Sequence, residues 1–198
     1  MFGALGIAVL ALVLTEGSAS AGQCYDLITG GGYIFISGAK GTFGVGGGCQ
    51  NGSYWGHLEY QDDGIGLNVH STSITAYNEW NSGVDYQGRP IGRRRICGTA
   101  RTDLYGDVDF AVVVRDGNVS DPSTPGEPGV NDEFDIQLRK SGSAGAPPVE
   151  PVYSTFYSSV GYPHILGGGN GGGGNIQLHK PNDSTYGPID GPCPGGAN

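Results

Sequence analysis

Two runs of alternating apolar and polar residues, joined by an acidic loop, constrain the fold of this chain more than any other feature. The runs cover residues 107–115 and 133–139. A period of two is typical of a strand that buries one face and exposes the other to water. The side chains expected to face the core are Val108, Phe110, Val112 and Val114, then Phe134, Ile136 and Leu138. The side chains expected in water are Asp107, Asp109 and Arg115, then Glu133, Asp135, Gln137 and Arg139.

Similar short alternating segments recur along the chain, and glycine-rich stretches separate them. Glycine accounts for 39 of the 198 residues, well above the roughly 7% of an average protein. We read residues 46–52, which begin with a run of glycines, as a loop. No segment has the period of an amphipathic helix. This combination predicts an all-β fold, an antiparallel β-sandwich or jelly roll with long loops.

Composition divides the chain into three parts. Residues 1–21 are an apolar stretch that ends in the small residues Ala19, Ser20 and Ala21, which fits a cleavable signal peptide. Residues 22–180 carry the alternating segments and are predicted to form one β-sandwich domain. Residues 181–198 are rich in glycine and proline, so we expect an irregular tail. Cleavage of the leader predicts a secreted or cell-surface protein with no remaining membrane segment.

The charge of the chain argues against some partners. With 19 acidic and 10 basic residues, the formal net charge is −9 at pH 7. An acidic surface disfavours nucleic acid and anionic membranes and is compatible with cations. The one basic cluster is Arg93, Arg94 and Arg95. Its simplest interpretation is a set of solvated strand positions that pair with nearby carboxylates.

Four cysteines follow the predicted leader, namely Cys24, Cys49, Cys97 and Cys193. An even number of cysteines in an exported chain favours two disulfides. Three pairings are possible, and we favour Cys24 with Cys193, which ties the two ends together, and Cys49 with Cys97. No two cysteines have the close spacing of a zinc site.

The loop between the two alternating runs is dense in oxygen ligands. Calcium takes about six to eight such ligands. The candidate ligands are Asp116, Asn118, Asp121, Glu127, Asn131 and Asp132. The sequence therefore predicts a Ca²⁺ site, although Asp, Asn, Gly and Pro are also the ordinary residues of turns.

The polar face of an earlier hairpin is a second candidate site. Two strands around the turn at residues 62–64 would place alternate side chains on one wet face. The candidate ligand-binding residues are Trp55, His57, Glu59, Gln61, Asn68 and His70. An aromatic ring with amides and imidazoles suits a sugar, and two histidines with a carboxylate suit a transition metal. A solvated strand face or a contact between subunits has the same composition.

Several blocks within residues 24–180 resemble, in the same order, a family of exported bacterial modules catalogued as post-COAP-type domains. The blocks are residues 29–32, 56–62, 69–75, 126–134 and 166–179. The resemblance implies a secreted or surface protein and no known reaction. The long acidic loop and the cysteine-bearing tail depart from the family pattern, so roles built on them would be specific to this chain.

No nucleophile elbow and no zinc-protease motif occurs in the sequence. The leading hypothesis is therefore a non-enzymatic extracellular module with a structural or adhesive role. Such a module could self-associate into a surface polymer or filament through open strand edges, with calcium as a stabiliser. The alternative is a carbohydrate-binding module with an extracellular glycan as its partner. A glycoside-active enzyme with paired carboxylates, such as Asp62 with Asp63 or Glu59 with Glu127, ranks third.

Overall fold

A computed structural model describes residues 24–117, 131–142, 150–156, 163–167, 172–188 and 193. The predicted leader, residues 1–21, lies outside these ranges. The described residues contain nine strands and no helix. They are β1 (Leu27–Ile36), β2 (Ala39–Gln50), β3 (Ser53–Asp62), β4 (Leu67–Val84), β5 (Pro90–Thr102), β6 (Gly106–Asp116), β7 (Glu133–Lys140), β8 (Tyr153–Ser154) and β9 (Gly173–His179). In this part of the chain, therefore, nothing helical has the length and apolar character that a bilayer crossing requires.

The strands form a single antiparallel sheet in the order β8-β7-β6-β5-β4-β3-β2-β1-β9. Each of the first eight strands lies beside its neighbour in sequence, and β9 returns to pair with β1. The predicted all-β antiparallel class is confirmed. The finer prediction of two packed sheets, a sandwich or jelly roll, is not confirmed, because the described strands belong to one sheet.

Two tight turns explain why neighbouring strands pair so simply at the start of the chain. Ser37 and Gly38, between β1 and β2, have φ angles of 52° and 87°. Asn51 and Gly52, between β2 and β3, have φ angles of 49° and 85°. Two consecutive residues with positive φ make the hairpin turn whose twist matches that of the flanking strands. The expected loop at residues 46–52 is wrong, since β2 continues to Gln50 before this turn.

The sheet curls until distant strands meet across one core. The rings of Phe43 on β2 and Phe134 on β7 stack with centroids 3.7 Å apart, although four strands separate β2 from β7 in the sheet. The predicted core faces of β6 and β7 are confirmed, because all seven of their apolar side chains are buried in the main core cluster. Burial of this kind contributes about 1.5 to 3 kcal/mol for each large apolar side chain.

Two buried carboxylates join the last strand to the far side of the curl. One edge of β9 pairs with β1. On the other edge, Ile176 donates its N–H to Asp132 Oδ2 at 2.6 Å, and Leu178 donates its N–H to Asp116 Oδ2 at 2.8 Å. The other carboxylate oxygen of Asp132 accepts the N–H of Gly117 at 2.9 Å. The carboxylate oxygens thus accept hydrogen bonds from backbone N–H groups of β9 that would otherwise require a neighbouring strand.

This arrangement predicts a pH dependence of stability. Burial, together with the charge of Asp116, raises the pKa of Asp132 to about 6 even though two N–H groups bond its carboxylate. A carboxyl whose folded pKa lies above its unfolded value stabilises the fold below the unfolded pKa, and the contribution is lost as pH rises through the folded pKa. We expect Asp132 to remove about 2 to 3 kcal/mol from the free energy of unfolding between about pH 4 and pH 6.

Chemical denaturation across this pH range, in the presence of a chelator, measures the effect. Other carboxyls also titrate there, so the test is the difference between the wild type and Asp132→Asn. The variant should show a flatter profile because its amide does not titrate. Parallel pH profiles for the two proteins would contradict the assignment.

The expected wet face of β7 is wrong. Glu133, Asp135, Gln137 and Arg139 are buried, and so is Asp109 on β6. The reason is that the chain after β7 folds back over its edge and outer face: Thr155 donates its N–H to Ile136 O, and Phe134 donates its N–H to His164 O. Thr155 Oγ1 and His164 Nδ1 lie 2.8 and 2.7 Å from Asp135 Oδ1, so this carboxylate has partners away from water.

Four cysteines form two disulfides, as predicted, but the favoured pairing is wrong. The bonds join Cys24 with Cys49 and Cys97 with Cys193, at Cα–Cα distances of 5.9 and 5.4 Å. Cys49 points into the main core, whereas Cys97 packs with Ala76 and Ala111 in a separate cluster. The two side chains therefore leave the sheet on opposite faces and cannot meet. Two disulfides indicate an oxidising compartment.

Candidate functional site

The predicted polar face of the β3–β4 hairpin exists. β3 and β4 pair with Glu59 opposite His70 and Gln61 opposite Asn68. On β3 the even-numbered residues Leu58, Tyr60 and Asp62 are buried, so the odd-numbered side chains project to the outside of the curl. We call the six candidate residues the outer-face site: Trp55, His57, Glu59, Gln61, Asn68 and His70.

Glycines of β2 form the floor beside this site. Gly44 lies opposite Glu59, and Gly46 lies opposite His57. A Cβ atom at Gly44 would meet nothing within 4 Å, so the surface there is open. A Cβ at Gly46 would lie 3.6 Å from the six-membered ring of Trp55, which shows that the indole lies across this glycine. The absence of a side chain at Gly44 and at Gly46 leaves a shallow trough next to an aromatic ring.

Four of the six residues line one surface depression of about 230 Å³. Its lining includes Glu59, Gln61, Asn68 and His70, with Thr42 and Gly44 from β2. Trp55 and His57 continue the same row of β3 side chains, and Trp55 is 44% exposed. The structure thus brings the predicted residues together on one accessible surface.

Glu59 organises the polar groups of this surface. One carboxylate oxygen lies 3.0 Å from His57 Nε2, and the other contacts His70 Nδ1. His57 Nδ1 is 3.4 Å from Ser71 Oγ, which accepts the N–H of Leu58. Asn68 donates its backbone N–H and its side-chain amide to Asp103, and these bonds hold the pKa of Asp103 below its usual value. The site therefore presents polar groups in fixed positions.

The arrangement is suited to reversible binding of a polar ligand. The side chains of His57, Glu59 and His70 are 60%, 42% and 66% exposed, so a ligand could reach them without a conformational change. Among the described residues, no three His, Cys, Asp or Glu side chains are arranged to hold a metal ion. Hydrogen bonding to hydroxyls beside an exposed indole is the chemistry that the geometry favours.

A second depression, of about 280 Å³, lies on the other side of β4 and was not anticipated from the sequence. Its lining includes Thr72, Thr99, Arg101, Asp107 and Ser141. Thr72 Oγ1 and Thr99 Oγ1 are 2.7 Å apart. His70 of the first depression pairs in register with Arg101 of the second, so the two are neighbours across the sheet. The run of hydroxyl residues at 71–73 was the available sequence signal.

Asp62, one of the carboxylates considered for glycoside chemistry, lies inside the fold. Its Oδ2 accepts a hydrogen bond from Tyr153 Oη at 2.7 Å, and Tyr60 Oη is 2.6 Å from Tyr153 Oη. Burial raises the pKa of both tyrosines far above the usual value. Its sequence neighbour Asp63 is exposed, and Glu127 falls outside the described residues.

Only part of the predicted calcium loop is described. Asn118, Asp121 and Glu127 lie outside the described residues. Asn131 is exposed, whereas Asp116 and Asp132 are buried and hold the edge of β9 as described above. Calcium binding stays a prediction. We expect a saturable heat when chelator-treated protein is titrated with Ca²⁺, and no heat between micromolar and millimolar concentrations would reject the site.

The comparisons with known proteins add no assignment to this geometry. The resemblance to post-COAP-type modules therefore stays a prediction. No family model matches this chain, and no curated protein or solved structure matches it either.

Proposed function

We propose that this chain is a secreted, non-enzymatic adhesive module that binds an extracellular glycan through the outer-face site. The observation that carries the proposal is the position of the exposed Trp55 indole over a glycine floor, beside a depression lined by carboxylate, amide and imidazole groups. A sugar ring has one apolar face for stacking and hydroxyls at its rim for hydrogen bonds. The two disulfides are compatible with an extracellular location.

The shape of the surface favours a chain of sugars over a single small molecule. The depression is shallow and open, and a second hydroxyl-lined depression adjoins it across β4. An extended polymer gains affinity from several weak contacts along such a surface. A small ligand would instead require a pocket that encloses most of its surface.

Self-association by strand addition has less support from the described edges. The outer edge of β7 is met by β8 and by the bridge between Glu133 and Ile165. The outer edge of β9 donates to the carboxylates of Asp116 and Asp132. A neighbouring copy would have to displace these partners before it could add a strand. A filament or surface polymer thus remains the second proposal, and electron microscopy with and without calcium tests it.

The first test is a glycan-array screen followed by titration of the best neutral glycan. We expect Trp55→Ala to weaken binding by about 10- to 100-fold, because truncation of a central aromatic anchor typically costs about 2 kcal/mol or more. Trp55 is partly exposed, so its removal should leave the unfolding midpoint nearly unchanged. Undiminished affinity in the folded variant would remove this face from the proposal.

A second test fills the trough instead of removing a contact. We expect Gly44→Leu to weaken binding at least tenfold, because the new side chain would occupy the depression where a Cβ meets nothing within 4 Å. For the same reason the free energy of unfolding should change by no more than about 0.5 kcal/mol. Gly83→Leu, on an exposed part of β4, is the matched control. Equal affinities for the two leucine variants would argue against a ligand in the trough.

A further inference from the structure

A second exposed tryptophan lies among arginines at a different place on the sheet. Trp80 interrupts the β4–β5 register, where Glu79 pairs with Arg94 and Asn81 pairs with Arg93. Trp80, at this β-bulge, is 43% exposed. The guanidinium carbons of Arg93 and Arg95 both lie 5.8 Å from the Trp80 ring centroid. Bulges often redirect a side chain at functional positions.

The carboxylate of Glu133 holds two arginine side chains, Arg93 and Arg115, in place near this ring. Arg93 bonds the carboxylate of Glu133 through Nε, at 3.1 Å, and through Nη2. Arg115 Nη1 bonds the other oxygen of the same carboxylate at 2.8 Å. Glu79, which precedes Trp80 in the sequence, adds a second carboxylate, whose Oε2 lies 3.6 Å from Nη2 of the buried Arg94. Two arginines thus flank an exposed aromatic ring on a chain whose net charge is −9.

We propose that Trp80, Arg93 and Arg95 form a subsite for a negatively charged sugar, one that carries a carboxylate or a sulfate ester. The indole would stack on the sugar ring, and the guanidinium groups would bond the anionic substituent. This inference rests on the proposed function because it assumes that the ligand is a glycan. It adds that one sugar unit of that glycan is negatively charged.

Other anionic ligands fit the surface less well. A nucleic acid or an anionic membrane would meet the repulsion of the remaining surface, whose net charge is negative. A single acidic sugar places one charge against the arginines. Its sugar ring also has an apolar face, which can stack on the exposed indole between the guanidinium groups.

The test compares two pairs of oligosaccharides by titration calorimetry: an oligouronide with its methyl ester, and a sulfated oligosaccharide with its unsulfated form. We expect at least one charged form to bind about tenfold more tightly than its neutral counterpart, and the preference to weaken as salt is added. Trp80→Ala and Arg95→Gln should each reduce this preference to about twofold or less. Lys180→Gln removes one positive charge at an exposed position that lines neither depression, and this variant should retain the preference.

The outcomes separate this subsite from the site at Trp55. A preference for the uronide or for the sulfated sugar supports the subsite and identifies the anionic group. Equal binding of charged and neutral forms overturns it, even if Trp55→Ala still abolishes binding of neutral glycans. A preference that survives in a folded Trp80→Ala protein and in Arg95→Gln also overturns it. An absence of binding to every glycan would overturn both the subsite and the proposed function.

Discussion

Replacing Asp26 with alanine is expected to lower the free energy of unfolding by about 3 to 5 kcal/mol, because it removes the buried counter-ion of a buried guanidinium and leaves only the half-exposed Glu79 nearby. Arg94 is 1% exposed and Asp26 is 7% exposed. Arg94 Nε donates to Asp26 Oδ1 at 3.2 Å, and Tyr77 Oη donates to the same oxygen at 2.6 Å. Urea denaturation of the purified variant measures the loss.

The surroundings of Arg94 explain why the expected loss is large. Its Nη1 donates to the carbonyl oxygens of Asn81 and Arg93, and its Nη2 donates to Ser82 Oγ. Burial lowers the pKa of Arg94, but the hydrogen bond to Asp26 and its charge outweigh that effect and raise the pKa overall. The arginine therefore stays charged and cannot escape the loss of its partner by releasing a proton.

Two further variants make this prediction specific. Arg101→Ala, at an exposed arginine 4.0 Å from Asp107, should change stability by less than about 1 kcal/mol. The double variant Asp26→Leu with Arg94→Met should recover much of the loss, because apolar side chains can replace a buried ion pair. An Asp26→Ala protein as stable as the wild type would show that this ion pair does not form.

Removing the disulfide between Cys97 and Cys193 should cost a similar amount. The bond joins residues 96 positions apart, and closing a loop of about 100 residues restricts the unfolded chain by about 4.7 kcal/mol. The bond between Cys24 and Cys49 spans 25 positions, for which the same relation gives about 3.5 kcal/mol. We expect the two double cysteine-to-alanine variants to lose stability in that order.

Peptide mapping of the unreduced protein provides the direct control for this prediction. It should recover one peptide pair that contains Cys24 with Cys49 and another that contains Cys97 with Cys193. A peptide that joins Cys24 to Cys193 would restore the pairing favoured from the sequence and would contradict the described fold near both ends of the chain.

The strand faces that line the core could be read from the sequence, because alternation reports which side chains avoid water. Val112 and Ile136, for example, are paired neighbours in the core of adjacent strands. The opposite faces could not be read in the same way. Asp135 and Arg139 lie opposite the core, yet both are buried, because a later segment of the chain covers them. The pattern of a single strand does not show that a distant segment of the chain will pack over its polar face.

The disulfide pairing shows a similar limit. Alternation around Ile96 already places Cys97 on the face away from the core, so a pairing with the inward Cys49 could have been questioned. The contact of Cys193 with the outer face depends on the path of the tail, which no local pattern reports. The same alternation places Arg94 on the inward face with Ile96, but a charged side chain is ordinarily expected in water, so its burial is not an evident prediction.

The outer-face site was predictable because its residues belong to one hairpin with a recognisable turn. The register was not predictable from the expected turn at residues 62–64, because the turn spans residues 63–66 and thereby places Glu59 opposite His70. The glycine floor was not predictable, because it depends on β2 lying beside β3 with Gly44 and Gly46 facing outward. The Trp80 position was also missed, because a β-bulge displaces it from the regular alternation.

The central claim is that the outer face of β2, β3 and β4 receives a glycan, and a nuclear magnetic resonance titration tests it most directly. We expect the best neutral glycan to shift the amide signals of Gly44, Glu59 and His70 and the indole signal of Trp55, in a saturable manner. Signal shifts confined to residues 150–156 and 163–167 would contradict the claim, because these segments lie near β7 and β8, away from β2, β3 and β4 in the strand order.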